Sequence, residues 1–369
     1  MDNILKISDF DYELPAELIA QTPIEPRDAS RLLVANRQSQ TFEHRHFRDI
    51  GDYLQPGDLL IANQSRVIPA RLLGRRAETG GAVEVLLLSE RPDLGHNCWE
   101  ALVRPGRRLR EGARIEFGPE GEPPRLLAEI LTRTVAGGRV VRLSLPEIEQ
   151  IANNDLQDPY QMLHVRERID EIGKMPLPPY IHESLDNPER YQTVYARIRG
   201  SAAAPTAGLH FTSTLLSQLQ QQGVQVGFVT LHVGLDTFRP VEHENVSEHK
   251  MHSEEIELNA ETAELIRATK AAGKRVVAVG TTSVRVLESV ASFNEGQIEA
   301  YKGNTRLFIT PGRHYQVVDA MITNFHLPRS TLLLLVSAFM GKEFMERAYQ
   351  EAIHERYRFF SFGDAMLLL

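Results

Sequence analysis

The run Val276-Val277-Ala278-Val279-Gly280-Thr281-Thr282-Ser283-Val284-Arg285 carries the clearest chemical signal in the chain. A short apolar stretch enters a glycine, three hydroxyl residues follow, and an arginine stands close behind. If a helix opens there, the free amides of its first turn and the positive end of its dipole make an anion site. Gly280, Thr281, Thr282 and Ser283 would line it, and Arg285 would clamp a carboxylate in bidentate fashion. Hydroxyl residues also cap ordinary helices, so the run alone does not separate a site from a cap.

A second signal runs from Gly200 to Thr212. Small residues around Pro205 and Thr206, with the turn Gly208-Leu209-His210, let a ligand approach the backbone closely. His210 stands at a helix start, where the dipole favours a neutral imidazole able to accept a proton. His232 closes the apolar run Thr230–Val233, and strand ends are where open α/β sheets place ligands. For both histidines a satisfied interior ring is the rival reading. Asn324 and His326 end a further apolar run, and Asp364 follows Gly363 near the C-terminus. Polar groups ending neighbouring strands would gather at one sheet edge.

The charged segment 242–257 holds His243, His249, His252, Glu254 and Glu255. It lacks the H-E-x-x-H spacing of a metal helix, so no metal is expected, and Glu254 or His252 is read as an acid–base group.

Between Arg66 and Arg142 lie 14 arginines, no lysine and ten acidic residues, a balance of +4 within a chain of net −8. Arg104-Pro105-Gly106-Arg107-Arg108-Leu109-Arg110 crosses a predicted turn and would project several guanidinium groups from one rim, which suits phosphate contacts. A solvated arginine surface is the alternative. Only Trp99 and Phe117 lie nearby, too few aromatics for base stacking.

The elements that would position these groups differ along the chain. Residues 71–149 read as short strands, Ala82–Leu88, Trp99–Val103, Arg114–Phe117, Leu126–Thr132 and Arg139–Leu143, punctuated by Gly and Pro turns. They predict a small antiparallel β-barrel inserted into a larger domain. Residues 148–195 look polar and irregular, with Met175–Ile181 as a rigid proline connector. From Ala202 the texture is β/α. Thr212, Asn259 and Ser330 are expected helix caps, and strands are expected at Val224–Val233, Glu255–Leu258, Arg275–Val279, Leu307–Ile309, Tyr315–Val318 and Ala320–Phe325. The fold class is therefore an α/β main domain, residues 1–70 plus 150–369, with the barrel inserted at 71–149.

Composition bounds the setting. Hydrophobic residues at 42% and charged residues at 24% describe a globular chain. The single cysteine, Cys98, rules out an internal disulfide. The acidic start shows no secretory leader, and the longest apolar stretch, Thr331–Met340, is about half a membrane span. A cytoplasmic protein is expected, with no membrane partner.

Long segments resemble the S-adenosylmethionine:tRNA ribosyltransferase-isomerase family from end to end. They include Phe10–Pro15, Glu25–Asp28, Arg66–Arg71, Leu177–Ile181, Arg190–Tyr195, Ala203–Phe211, Thr230–Leu235, Met251–Glu254, Gly280–Arg285, Ile322–Thr331 and Phe359–Met366. The chain departs from the family's pattern at Gln64, Asp236, Ala202 and Phe362. The resemblance implies transfer of the ribosyl part of S-adenosylmethionine onto 7-aminomethyl-7-deazaguanine in the tRNA wobble position, with release of adenine and methionine. It implies a monomer with no permanently bound cofactor and S-adenosylmethionine as co-substrate. On that reading His210 or His232 serves as base and Glu254 or Asp364 as acid. Thr206, Gly208, Asn324 and His326 join the Gly280–Arg285 turn in holding substrate, and Arg66, Arg71, Arg104, Arg107 and Arg108 hold tRNA. Two rivals stand beside it. A small-molecule methyltransferase would show a G-x-G-x-x-G-like turn, which is absent. A non-catalytic RNA adaptor would not need the polar strand ends.

Overall fold

The computed structural model describes residues 5–134, 137–146, 159–234, 243–249, 251 and 253–369; Asp236 and His252 fall outside them. Its contacts divide the chain into two compact units, one of residues Met1–Arg66, Pro178–Ile198 and Ala204–Leu369, the other of Val67–Leu177 and Arg199–Ala203. The second unit thus runs past residue 149, where the barrel texture ends. Strands are β1 (Arg31–Asn36), β2 (Thr41–His46), β3 (Leu59–Asn63), β4 (Ser65–Val67), β5 (Arg71–Arg76), β6 (Ala82–Glu90), β7 (Cys98–Arg104), β8 (Arg114–Phe117) and β9 (Leu126–Arg133). They continue with β10 (Arg139–Ser144), β11 (Ile198–Ser201), β12 (Gln225–Leu231), β13 (Glu254–Leu258), β14 (Val276–Val279), β15 (Tyr301–Thr305), β16 (Ala320–Asn324) and β17 (Ala365–Leu368).

The first unit is built on a nine-stranded sheet in the order β15-β13-β12-β3-β14-β16-β17-β1-β2. Its centre, β12-β3-β14-β16, is parallel. Strands β3, β14 and β16 are buried along their whole length, which explains why they read as unbroken apolar runs rather than alternating ones. Helices cover the sheet, and their starts follow the sequence. The hydroxyl of Thr212 accepts from the Leu215 amide at 3.1 Å, Asn259 caps Thr262 at 2.8 Å, and Ser330 caps Leu333 at 3.2 Å. Each cap satisfies an amide that the helix itself cannot.

Two expectations fail here. Leu307–Ile309 and Tyr315–Val318 are not strands. The buried Glu288 carboxylate accepts the amides of Gln316, Val317 and Val318 at 2.9, 3.0 and 3.2 Å. A side chain therefore supplies the partners that a strand would have found in a ladder. The polar stretch before Met175 also contains a helix, Pro159–Ile172. It anchors through Val165 and Ile169, one turn apart and buried, an apolar face too narrow to stand out by periodicity.

The second unit holds a closed antiparallel barrel in the order β10-β7-β6-β5-β8-β9. Trp99 and Phe117 are buried within this unit. Among the described residues no helix is long and apolar enough to cross a membrane.

Candidate active site

At the carboxyl edge of the parallel strands, a cleft of about 630 Å³, open mouth included, is lined by Thr206, Gly280, Thr281, Thr282, Asn324 and His326. Tyr180, Val233, Ser330, Leu332, Phe360 and Ser361 complete much of its wall. The helix Gly280–Phe293 begins directly where β14 ends, with no side-chain cap. Gly280 has φ +85°, a conformation that a side chain would strain. Thr281 and Thr282 face the cleft, and the buried Thr282 Oγ1 has no hydrogen-bond partner among the described residues. Ser283 does not join them; its hydroxyl turns back to the Val279 carbonyl at 2.8 Å.

Arg285 lies one helical turn beyond Thr281, buried and away from the cleft lining. Its Nη1 donates to the Glu254 carboxylate, also buried, so these two predicted site residues neutralise each other. Burial pushes the Arg285 guanidinium down to about 10. Its Nε and Nη2 have no partner among the described residues.

His210 is 4% exposed, and both ring nitrogens are engaged. Nδ1 lies 2.7 Å from the Ser30 hydroxyl and Nε2 lies 3.1 Å from the Asn324 side-chain amide, while Phe47 stacks on the ring with centroids 5.0 Å apart. Its pKa is pushed down to about 3, chiefly by burial and then by Arg358 and Arg27. Burial, rather than the helix dipole, keeps it neutral. The amide of Asn324 is held on its other side by the Thr206 hydroxyl, which donates to Oδ1 at 2.9 Å. His210 thereby fixes Asn324 and Thr206 in the cleft wall without lining it.

His326 does line the cleft. Nε2 is 2.8 Å from the Thr323 hydroxyl, the backbone amide donates to Tyr349 at 2.9 Å, and the Tyr12 hydroxyl donates to its carbonyl. Nδ1 has no hydrogen-bond partner among the described residues. Burial pushes this half-buried imidazole also down to about 3, so it is neutral; its Nδ1 presents a lone pair, with an affinity for protons that burial weakens. His232 follows β12 and its amide donates to Glu255 at 3.2 Å; its neighbour Val233, not His232, lines the cleft.

Asp364 is 2% exposed and holds backbone in place, accepting the amides of Arg31 and Arg358, both at 2.8 Å. Burial raises its pKa, opposed by those same amides. A Cβ at Gly208 would collide with the Tyr195 hydroxyl, so that glycine serves packing. No carboxylate lines the cleft among the described residues, nor do these include a cluster of three or more metal-ligating side chains.

Sequence reasoning missed Tyr180 and Phe360, whose rings lie 4.8 Å apart in the wall. Tyr180 sat inside a proline tract read as a connector; its hydroxyl lies 2.7 Å from Ser361 Oγ. An aromatic ring ending a stiff tract was the available signal. Among the expected tRNA contacts, Arg66 pairs with Glu189, and Arg71 lies 3.6 Å from Glu84. Arg104, Arg107 and Arg108 are exposed, with no carboxylate partner among the described residues.

A cleft with convergent polar groups at the carboxyl edge of a parallel sheet is where α/β proteins take small molecules. Residues 7–368 match the family model described as queuosine biosynthesis protein, and the chain belongs to that family. It is 54% identical over 365 residues to the S-adenosylmethionine:tRNA ribosyltransferase-isomerase of Symbiobacterium thermophilum, covering 99% of this chain and 100% of the relative. The enzyme of the same name from Moorella thermoacetica is 53% identical over the same shares. The crystal structure of S-adenosylmethionine tRNA ribosyltransferase from Thermotoga maritima is 41% identical, covers 98% of this chain and 100% of its own, and superposes with a TM-score of 0.54.

Proposed function

We propose that this chain transfers and isomerises the ribosyl part of S-adenosylmethionine onto 7-aminomethyl-7-deazaguanine at the tRNA wobble position. The products are epoxyqueuosine-tRNA, adenine and methionine. It acts in the cytoplasm as a monomer, with S-adenosylmethionine as co-substrate and neither metal nor resident cofactor.

The observation that carries the site is the imidazole of His326, its Nδ1 without a hydrogen-bond partner among the described residues, in a cleft whose described lining has no carboxylate. The sulfonium acidifies the adjacent 5′ carbon, and a carboxylate beside it would offset that charge. His326 Nδ1 takes the 5′ proton, and the ribose opens as adenine departs with its bonding pair and the proton that the His326 imidazolium hands on. The substrate amine then attacks the sugar, and epoxide closure expels methionine. His326 stands in the place expected of His210, whose two nitrogens are already committed. The uncapped helix start at Gly280–Thr282 receives the methionine carboxylate, as free amides and the dipole favour. The Tyr180 and Phe360 rings provide an apolar wall for adenine. Burial raises the Tyr180 pKa, so its hydroxyl stays protonated as a hydrogen-bond donor.

The second unit takes the tRNA backbone through Arg104, Arg107 and Arg108. The test is to incubate the protein with labelled S-adenosylmethionine, with and without tRNA carrying the aminomethyl base. Adenine and methionine released only with that tRNA, and label fixed in it, is the expected result. Methyl transfer to any acceptor, or no turnover, would contradict it.

A further inference from the structure

Arg139, which opens β10, is 3% exposed, and no carboxylate is among its hydrogen-bond partners. Its Nε donates to the Leu109 carbonyl at 3.1 Å and its Nη2 to the Gly106 carbonyl at 2.6 Å. Its Nη1 donates to Gly138 at 2.9 Å and Gly137 at 3.2 Å. One guanidinium thus ties the turn after β7 to the hairpin before β10. Leu109, fully buried, plugs the middle of the same turn, and Ala113 is held by the Ile130 amide at 3.0 Å.

The turn so held carries exposed Arg104, Arg107, Arg108 and Arg110, none with a carboxylate partner among the described residues. Elsewhere in the unit several arginines pair with carboxylates: Arg75 with Glu116, Arg91 with Asp93, Arg125 with Glu122, Arg166 with Glu90. Like charges crowded on one turn repel, and a buried cation without a counter-ion adds to that repulsion. A glutamate beside Arg139 would relieve the charge; carbonyl partners hold the turn and leave the positive charge undiminished.

We propose that Arg139 is a positioning residue for tRNA, holding residues 104–110 in one shape so that the four exposed guanidinium groups meet backbone phosphates already ordered. The inference rests on the reading that the second unit takes the tRNA backbone. Guanidinium forks match phosphate oxygens, and Trp99 and Phe117 are both buried, so neither ring is open to base stacking. Preorganisation raises affinity by removing the cost of ordering these side chains.

The experiment measures binding of an unmodified tRNA transcript across a range of salt concentrations. Arg139→Lys keeps the charge but loses the planar fork, and Arg139→Met removes both. Both variants should bind about tenfold more weakly, with the slope of log affinity against log salt within about half a unit of wild type, since the same phosphates are neutralised. The double change Arg107→Gln with Arg108→Gln should lower that slope by about two. A slope lowered by about one in Arg139→Met would make Arg139 a direct phosphate contact and overturn its positioning role. Wild-type affinity in both Arg139 variants, with a normal response in the double variant, would overturn that role alone. An unchanged slope in the double variant would sink the underlying tRNA reading. A merely structural arginine would lower the melting temperature and leave the affinity of the folded protein intact; if Arg139→Met does not fold, Arg139→Lys carries the comparison.

Discussion

The cleft in the first unit and the arginine turn in the second handle charge in opposite ways. In the cleft the titratable groups are held neutral: His326 in its wall and His210 behind it both have pKa values pushed down to about 3 by burial. Arg285 and Glu254, which could have brought charge to it, are spent on each other. On the turn at 104–110 the guanidinium groups stay exposed and unneutralised, and even the residue that holds them, Arg139, carries positive charge. A buried site works by the direction of its donors and acceptors and should be nearly indifferent to salt. An exposed arginine turn works by counterion release and should depend on salt steeply.

The largest expected effect belongs to the cleft. His326→Gln keeps approximate size and hydrogen bonding and removes the base, so turnover should fall about 10²–10⁴-fold. S-adenosylmethionine affinity and melting temperature should hardly move. Equal losses in kcat and in affinity would make His326 a binding group and blur the contrast. Arg285→Ala comes next. It strands the buried Glu254 carboxylate and should cost about 3–5 kcal/mol in a denaturant titration. If instead stability held and S-adenosylmethionine binding collapsed in calorimetry, Arg285 would belong to the substrate after all.

The pH dependence is smaller per unit. Between about pH 6.5, where an unfolded histidine titrates, and about 3, where His210 does, the unfolded chain binds one proton more than the folded one. Stability is therefore full above that window and falls as pH drops through it, by up to about 1.4 kcal/mol per pH unit for this residue. His210→Gln should flatten that fall, and an unchanged slope of stability against pH would show His210 to be titrating normally. The smallest energetic effect sits on the turn. Arg107→Gln with Arg108→Gln should raise the tRNA KM and flatten its salt dependence while S-adenosylmethionine KM stays put.

Much of this was legible in the sequence wherever one residue type answers a local need. Thr212, Asn259 and Ser330 cap the helices they were expected to cap, because an orphan amide needs an oxygen next to it in sequence. Gly280, Thr281, Thr282, Thr206, Asn324 and His326 do converge, since strand ends and helix starts lie on one sheet edge. What sequence could not display is direction. Arg285 is only a few residues past Gly280, yet one helical turn buries it against Glu254. Asp364 looked like an acid and instead pins two amides. The expected strand at Tyr315–Val318 was lost to Glu288, a partner 28 residues away from Gln316 that no local pattern could reveal.

On the proposed reading, proton abstraction from S-adenosylmethionine occurs at His326 in the cleft. Solvent deuterium appearing at the 5′ carbon of bound S-adenosylmethionine, followed by mass spectrometry, tests this directly, with wild type and His326→Gln compared at equal occupancy. Exchange in the wild type and its loss in the variant, with binding retained, is the expected result. Exchange persisting undiminished in His326→Gln would contradict it.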